Sequence, residues 1–348
     1  MKIFQFINLQ ISLASFFLIS IGVLVIYSSS FELAIQQAVF AIIGIIFFLM
    51  VSRSELKFFR NIIKPLYLVI FISLIAVFIL GIETRGSLRW IPLGIFNIQP
   101  SEFAKPILIL FLAKFWSENL PTVINILKSL LWSAPLIFLI FKQPDLGSAL
   151  TVGAIWLGML FAARISLKKT IILLLIFLLM VPIGWFFLHG YQKDRITSFL
   201  SPKSDPLGTG YNVIQSTIAV GSGEFFGRGL GRGTQSRLQF LPEFRTDFIF
   251  ASIAEEMGFA GSVLILSLYM FLLSYFLKVA YQVNNSFSFL VIIGVFSMFL
   301  FQLFVNIGMN VGILPITGIT LPLISYGGSS LIVTFISLGM VASSAKKR

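Results

Sequence analysis

LPEFRTDFIF, Leu241–Phe250, joins a long charged loop to an apolar run that continues to about residue 279. Within ten residues the chain passes from Glu243, Arg245 and Asp247 to Ile249 and Phe250. The run exceeds the ~20 residues that an α-helix needs to cross a bilayer. Asp247 therefore stands where a membrane helix meets a polar loop. A carboxylate is costly there, and its presence points to chemistry or transport.

Other apolar runs lie near 8–28, 33–51, 65–82, 101–117, 127–142, 146–163, 170–189, 286–306 and 328–344. Together they give about ten spans. Lys142, Gln143, Pro144 and Asp145 interrupt one apolar stretch, so a count of nine would fuse the fifth and sixth. The chain is 57% hydrophobic and only 11% charged over 348 residues, which excludes a soluble domain. The expected fold is an all-α polytopic membrane protein, one domain over 1–348, with a long ordered extracytoplasmic loop at about 190–248. No small-residue cleavage site follows the first polar residues, so the first helix is expected to stay as an anchor. The chain lacks cysteine, which removes disulfides and thiolate chemistry. Its single histidine, His189, rules out a multi-histidine metal site. The net charge of +12 is explained by basic residues at membrane edges, so nucleic acid is not an expected partner.

Orientation follows from those basic residues. Arg53, Lys57, Arg60 and Lys64 follow the second run, Arg164, Lys168 and Lys169 follow the sixth, and Lys346, Lys347 and Arg348 close the chain. An even count puts all three clusters and both termini on one face, which the positive-inside rule makes cytoplasmic. The 190–248 segment then lies outside, yet it holds Lys193, Arg195, Lys203, Arg228, Arg232, Arg237 and Arg245. Long loops translocate regardless of charge, which is the bland reading. The sharper one is an external site for an anionic ligand.

Four further segments carry polar chemistry. In ETRGSLRWIPLGIFNIQPSEFAKP, Glu83–Pro106, Arg85 and Arg89 lie outside beside Trp90, and Ser101 and Glu102 open the fourth helix. Ser101 suits an N-cap and Glu102 the positive end of the helix dipole. Lys105 is placed to pair with Glu102 one turn away, either as scaffold or lining a substrate cavity. In KQPDLGSA, Lys142–Ala149, Pro144 ends one helix and Asp145 can cap the next. Glycines 221, 223, 227, 229, 231 and 233, with Arg228 and Arg232, could bring backbone amides close to an anion, although no Gly-Lys-Ser/Thr follows. Asp247, Glu255 and Glu256 are expected to face one polar cavity, since each would cost about 2.5–3.5 kcal/mol against lipid. NIGMNVGILPITGITLPLISYGGSS, Asn306–Ser330, breaks the chain before the last helix and reads as a groove wall. No internal repeat of the kind common in transporters is visible.

The segments RWIPLGIFNIQPSEFAKP, QPDLGSAL, GYNVIQSTIAVGSGEFFGRGLGRGTQSRLQFLPEFRTDFIF and NIGMNVGILPITGITLPLISYGGSSL together resemble the bacterial SEDS family (shape, elongation, division and sporulation), in order and over the whole chain. GTQSRLQFLPE and NIGMNVGILP are closer to its elongation branch than to its division branch. The resemblance implies a peptidoglycan glycosyltransferase that polymerises lipid II at the outer face of the bacterial cytoplasmic membrane. It also implies a class B penicillin-binding protein as partner, beside other elongation-complex membrane proteins. The family's essential aspartate falls in the TDF motif, here Asp247. Two departures concern the loop: Glu224 stands where a glycine is usual, and Ser201 where an aspartate is common.

The chemistry needs a base, because the acceptor is a sugar hydroxyl, and the resemblance makes Asp247 that base. The leaving diphosphate needs positive charge, from Arg or Lys side chains or from a divalent cation such as Mg or Mn. Arg89, Lys105 and Arg195 are candidates. Ser101, Glu102, Asp145, Gln215, Ser216 and Glu243 complete the expected substrate-binding set, with no protein metal site. The rival class is a flippase or other transporter of lipid-linked precursors, in which the acids and broken helices form a translocation path. A third reading is a non-catalytic scaffold.

Overall fold

In a computed structural model, the structure describes residues 8–84, 87–92, 94, 97–188, 190–238 and 240–346. Arg85, His189, Lys347 and Arg348 lie outside them. The long helices are α1 (Leu9–Ser29), α2 (Phe31–Arg53), α3 (Leu56–Leu80), α4 (Pro100–Glu118), α5 (Val123–Lys142), α6 (Leu146–Ala162) and α7 (Leu167–Phe187). The loop region holds α8 (Gly190–Leu200), a 3₁₀ turn (Pro202–Ser204), α9 (Tyr211–Ser222) and the short α10 (Thr234–Arg237). Then come α11 (Ile249–Gln282), α12 (Ser286–Asn310) and α13 (Gly328–Ser344). Among the described residues, ten helices have 17 residues or more, in agreement with the ten apolar runs. Six of them, α1, α2, α3, α5, α11 and α12, are both long and apolar enough to cross a membrane, and α6 and α13 are apolar but shorter.

These helices expose large apolar side chains as well as burying them. Phe16, Leu24, Ile46, Ile79, Leu131 and Phe304 all stand open. In water each would be unfavourable; against lipid they are the expected outer surface. The interior is built by α13 against α2, by α12 against α4 and α6, and by α11 against α1 and α9. Local signals start the helices as their sequence suggests. Asn8 and Ser30 cap α1 and α2, and Asp145 caps α6 by accepting from the Ser148 amide at 3.1 Å. The fifth and sixth runs are therefore separate helices.

Two elements differ from expectation. The third helix starts at Leu56, nine residues before the apolar run at 65, because Leu56, Phe59 and Ile63 continue its buried side through the basic cluster. The following segment contains a small antiparallel sheet, β1 (Ile82–Thr84), β2 (Ser87–Pro92) and β3 (Asn97–Ile98), ordered β1-β2-β3. Its strands are too short and too interrupted by glycine to register as a period-2 pattern.

Candidate active site

Helices make up about half of the described residues of the 190–248 segment, which ends in a tight turn. The Glu243 carbonyl accepts the Thr246 amide at 3.0 Å and the Phe248 amide at 3.1 Å, while Thr246 Oγ1 donates to Glu243 Oε2 at 3.1 Å. Leu241, Phe244, Phe248 and Ala251 pack with Ala219 of α9 into a small second core. Arg245 reaches away to the end of α1, where its Nε donates to Ser29 Oγ at 2.8 Å and its guanidinium stacks over the Phe244 ring. Burial lowers the Arg245 pKa from its ordinary value. With both neighbours anchored, Asp247 is presented half-buried, two residues before α11 begins.

Asp247 is fixed through its main chain. Its carbonyl accepts from Asn306 Nδ2 and Asn310 Nδ2 of α12, both at 3.0 Å. Asn310 is fully buried; its Oδ1 accepts the Ala251 amide at 3.0 Å, so one side chain ties Asp247 to the first turn of α11. Asn306 Nδ2 also reaches the Ile319 carbonyl at 2.7 Å. The irregular segment after α12 then wraps the turn: Ser325 Oγ donates to the Thr246 carbonyl at 2.6 Å, and the Tyr326 amide to the Arg245 carbonyl at 2.9 Å. The Tyr326 hydroxyl donates to Gln36 Oε1, and burial, then the Glu32 carboxylate, raise its pKa. Gly318, at φ 75°, lies beside the carboxylate; a Cβ there would be 3.5 Å from Asp247 Oδ2. The positive φ favours glycine at that point. On its other side the same segment meets Gly147 near the start of α6, where a Cβ would sit 2.9 Å from the Thr317 carbonyl oxygen.

That contact brings a second polar cluster into the neighbourhood. Asp145 Oδ2 accepts from Ser101 Oγ at 3.1 Å and Gln99 Nε2 at 3.0 Å, and Arg89 Nη1 lies 3.9 Å from Asp145 Oδ1. Arg89 also donates to the Gln143 and Pro144 carbonyls. Ser101 is thus not the N-cap of α4. Gln99 occupies that position without a side-chain cap, and the Ser101 hydroxyl is turned to Asp145 instead. Glu102 and Lys105 form the expected pair at 2.6 Å, with the residues only 5% and 2% exposed. Arg89 and Lys105 therefore have interior partners of their own.

The remaining candidates are spread over the loop. Arg195 is half-buried on α8. Ser216 is buried on α9, where its hydroxyl donates to the Asn310 carbonyl at 2.8 Å and so braces the asparagine that holds Asp247. Gln215, next to it, is half-buried. Glu243 shapes the turn described above.

Two expectations fail on geometry. Glu255 and Glu256 are buried and bonded to partners of their own rather than turned to the substrate side. The Glu255 carboxylate accepts the Gln235 amide at 2.8 Å, the Ser236 amide at 3.2 Å and the Thr234 and Ser236 hydroxyls, so it anchors α10. Glu256 accepts from Ser28 of α1. Asp247 precedes α11, so helical periodicity does not align it with Glu255 and Glu256. The glycine run is likewise not an anion cradle. Its amides are engaged within the chain: Arg228 N donates to Glu255 O and Gly229 N to Glu256 O, both at 3.0 Å, and the Gly231 amide donates to the Glu256 carboxylate. α11 is broken at Gly258, φ 68° and ψ −163°, and the run satisfies the backbone groups freed by that break. Glu224 adopts φ 48°, a left-handed conformation that favours glycine.

Sequence reasoning missed Asn306 and Asn310. The signal was available, since two amide side chains four residues apart share one face of an apolar helix, where a buried polar group must find partners.

A helical membrane bundle that pins an acidic turn against its last irregular segment defines an integral membrane protein with an acid-centred site at one end. The chain belongs to the FtsW/RodA/SpoVE family, described as cell cycle proteins, whose model matches residues 2–348. It is 39% identical over 303 residues to peptidoglycan glycosyltransferase MrdB of Escherichia coli K12, covering 86% of this chain and 82% of the relative. It is 37% identical over 351 residues to stage V sporulation protein E of Bacillus subtilis, covering 96% and 95%. Among solved structures it is similar to a chain from a peptidoglycan synthase complex described for its structural coordination of polymerization and crosslinking, at TM-score 0.84, 32% identity and 96% of both chains. It is also similar to the Thermus thermophilus rod shape determining protein RodA, at TM-score 0.73, 27% identity, and 96% and 95% of the two chains.

Proposed function

We propose that this protein is a peptidoglycan glycosyltransferase that polymerises lipid II at the outer face of the bacterial cytoplasmic membrane, in the elongation branch of its family. The observation that carries this reading is Asp247, held by main-chain bonds from Asn306 and Asn310 beside a glycine-bearing segment. A carboxylate fixed through its backbone keeps its position while the side chain exchanges partners, which suits proton transfer. The names of the E. coli relative and of the synthase complex support the same activity.

In the reaction, Asp247 accepts the proton of the acceptor sugar hydroxyl as its oxygen attacks the anomeric carbon of the donor. The bond to the undecaprenyl diphosphate breaks and the diphosphate leaves with the electron pair. A positioned general base contributes typically ~10²–10⁴-fold. Arg195 is the cation we assign to the departing diphosphate. Arg89 and Lys105, engaged with Asp145 and Glu102, act on the substrate through the cluster they hold in shape. The described residues contain no group of three or more His, Asp or Glu set to hold an ion.

The basic clusters and both termini are cytoplasmic in this reading, and 190–248 is outside. The partners are a class B penicillin-binding protein, supported by the similar synthase complex, and other elongation-complex membrane proteins. Purified protein given lipid II in detergent tests the activity. Glycan strands are expected on electrophoresis. Transfer of labelled lipid II across vesicles without strand formation would identify a transporter instead.

A further inference from the structure

A cleft of about 750 Å³ opens between α3, α4 and α5, lined by no residue of the acidic turn. Lys114, on its rim, lies 13 residues beyond Ser101 on α4, which is ~20 Å along a helix axis. Tyr67, Phe111 and Trp132 form its wall, with ring centroids 4.9–5.7 Å apart. Leu68 and Leu131 at its edge are 57% and 70% exposed, so the cleft faces the surface that the other helices turn to lipid. Its size is that of a site for a small organic ligand, for which ~300–1,000 Å³ is usual.

The polar end is unbalanced in charge. Arg60 is neutralised by Glu118 at 2.7 Å. Lys64 and Lys114 have no carboxylate partner among the described residues, and Lys114 Nζ donates only to the Arg60 carbonyl, at 3.1 Å. An ammonium has three donors, so most of their capacity stays open. Apolar clefts between membrane helices with a basic end on the positive face are where anionic headgroups settle. We propose that this cleft binds an anionic phospholipid of the surrounding bilayer, an acyl chain against Tyr67, Phe111 and Trp132 and the phosphate between Lys64 and Lys114.

The test uses the full chain in phosphatidylcholine nanodiscs doped with phosphatidylglycerol carrying brominated acyl chains, which quench tryptophan on contact. The Trp132 contribution is the difference from Trp132→Phe, a change that leaves intact the main-chain carbonyl that Tyr67 binds. Quenching of Trp132 should saturate at a low mole fraction of the brominated anionic lipid. Lys64→Ala with Lys114→Ala should raise the required fraction roughly 30-fold, about fivefold per lysine near an anionic surface. Lys64→Arg with Lys114→Arg, which keeps the charge, should leave it nearly unchanged. Equal quenching by brominated phosphatidylcholine, or indifference to the alanine changes, would overturn the headgroup site. Absence of any Trp132-dependent quenching would mean that something else, such as a partner's helix, fills the cleft, and would overturn the proposal as a whole.

Discussion

Asn310→Ala removes three hydrogen bonds of ordinary length and a fourth, long one of 3.5 Å to Asn306 Oδ1, and touches no substrate atom in our account. The three run to the Asp247 carbonyl, the Asn306 carbonyl and the Ala251 amide, at 3.0, 2.7 and 3.0 Å. Each is worth about 1 kcal/mol net, and the Ala251 amide, left unpaired in a buried site, adds about 1–3 kcal/mol. These sum to about 4–6 kcal/mol, which local relaxation lowers to an expected loss of roughly 3–5 kcal/mol. The functional effect should exceed what stability explains. Freed from one of its two clamps, Asp247 can shift by a fraction of an ångström to an ångström, and a displacement of ~1 Å costs on the order of 10²-fold in rate. Lipid II polymerisation by purified protein, below the unfolding temperature of the variant, should show kcat down by that factor with KM nearly unchanged. A variant with normal kcat, or one whose loss lies wholly in KM, would refute the claim that α12 positions the base.

Other expectations follow from the same contacts. Asp145→Ala removes the α6 cap, about 1 kcal/mol, together with its hydrogen bonds from Ser101 and Gln99 and its ion pair with Arg89. Thermal unfolding should place it roughly 2–4 kcal/mol below wild type, with Asp145→Asn milder because the cap survives. Lys105→Ala strands Glu102 in the interior and should cost about 3–5 kcal/mol, while replacing both by Met should restore most of it. A stable but inactive double variant would assign the pair to substrate. Glu255→Ala should release α10, read as faster hydrogen exchange over 231–238 with α12 unchanged; uniform exchange would contradict its anchoring role. In a chain without cysteine, Lys203→Cys should react with an impermeant thiol reagent on intact cells and Lys57→Cys should not; the reverse would invert the proposed topology.

The long helices were legible because lipid leaves a simple mark, an apolar run of fixed length. Where polarity intervenes the mark fades. The first turns of α3 are hidden by Lys57, Arg60 and Lys64, which sit among the residues it buries, and the small sheet by glycine and proline. At the site, Asp247 stood out as an acid at a membrane edge, and Asp145 as a cap, both of which are local facts. The glycine run misled because amide partners depend on what packs opposite, here the break in α11 at Gly258. Ser101 misled for a similar reason, since Asp145, 44 residues away, outcompetes its own helix terminus. Asn306 and Asn310 show their role only once α12 is laid against the turn.

The central claim is that Asp247 takes the proton of the acceptor hydroxyl, and Asp247→Asn tests it most directly. The amide keeps the size of the side chain and leaves every main-chain bond to the residue in place. Purified Asp247→Asn should unfold close to the wild-type temperature and extend lipid II at least ~10²-fold more slowly, the lower end of what a general base supplies. Wild-type rates of strand synthesis by that variant would contradict the account.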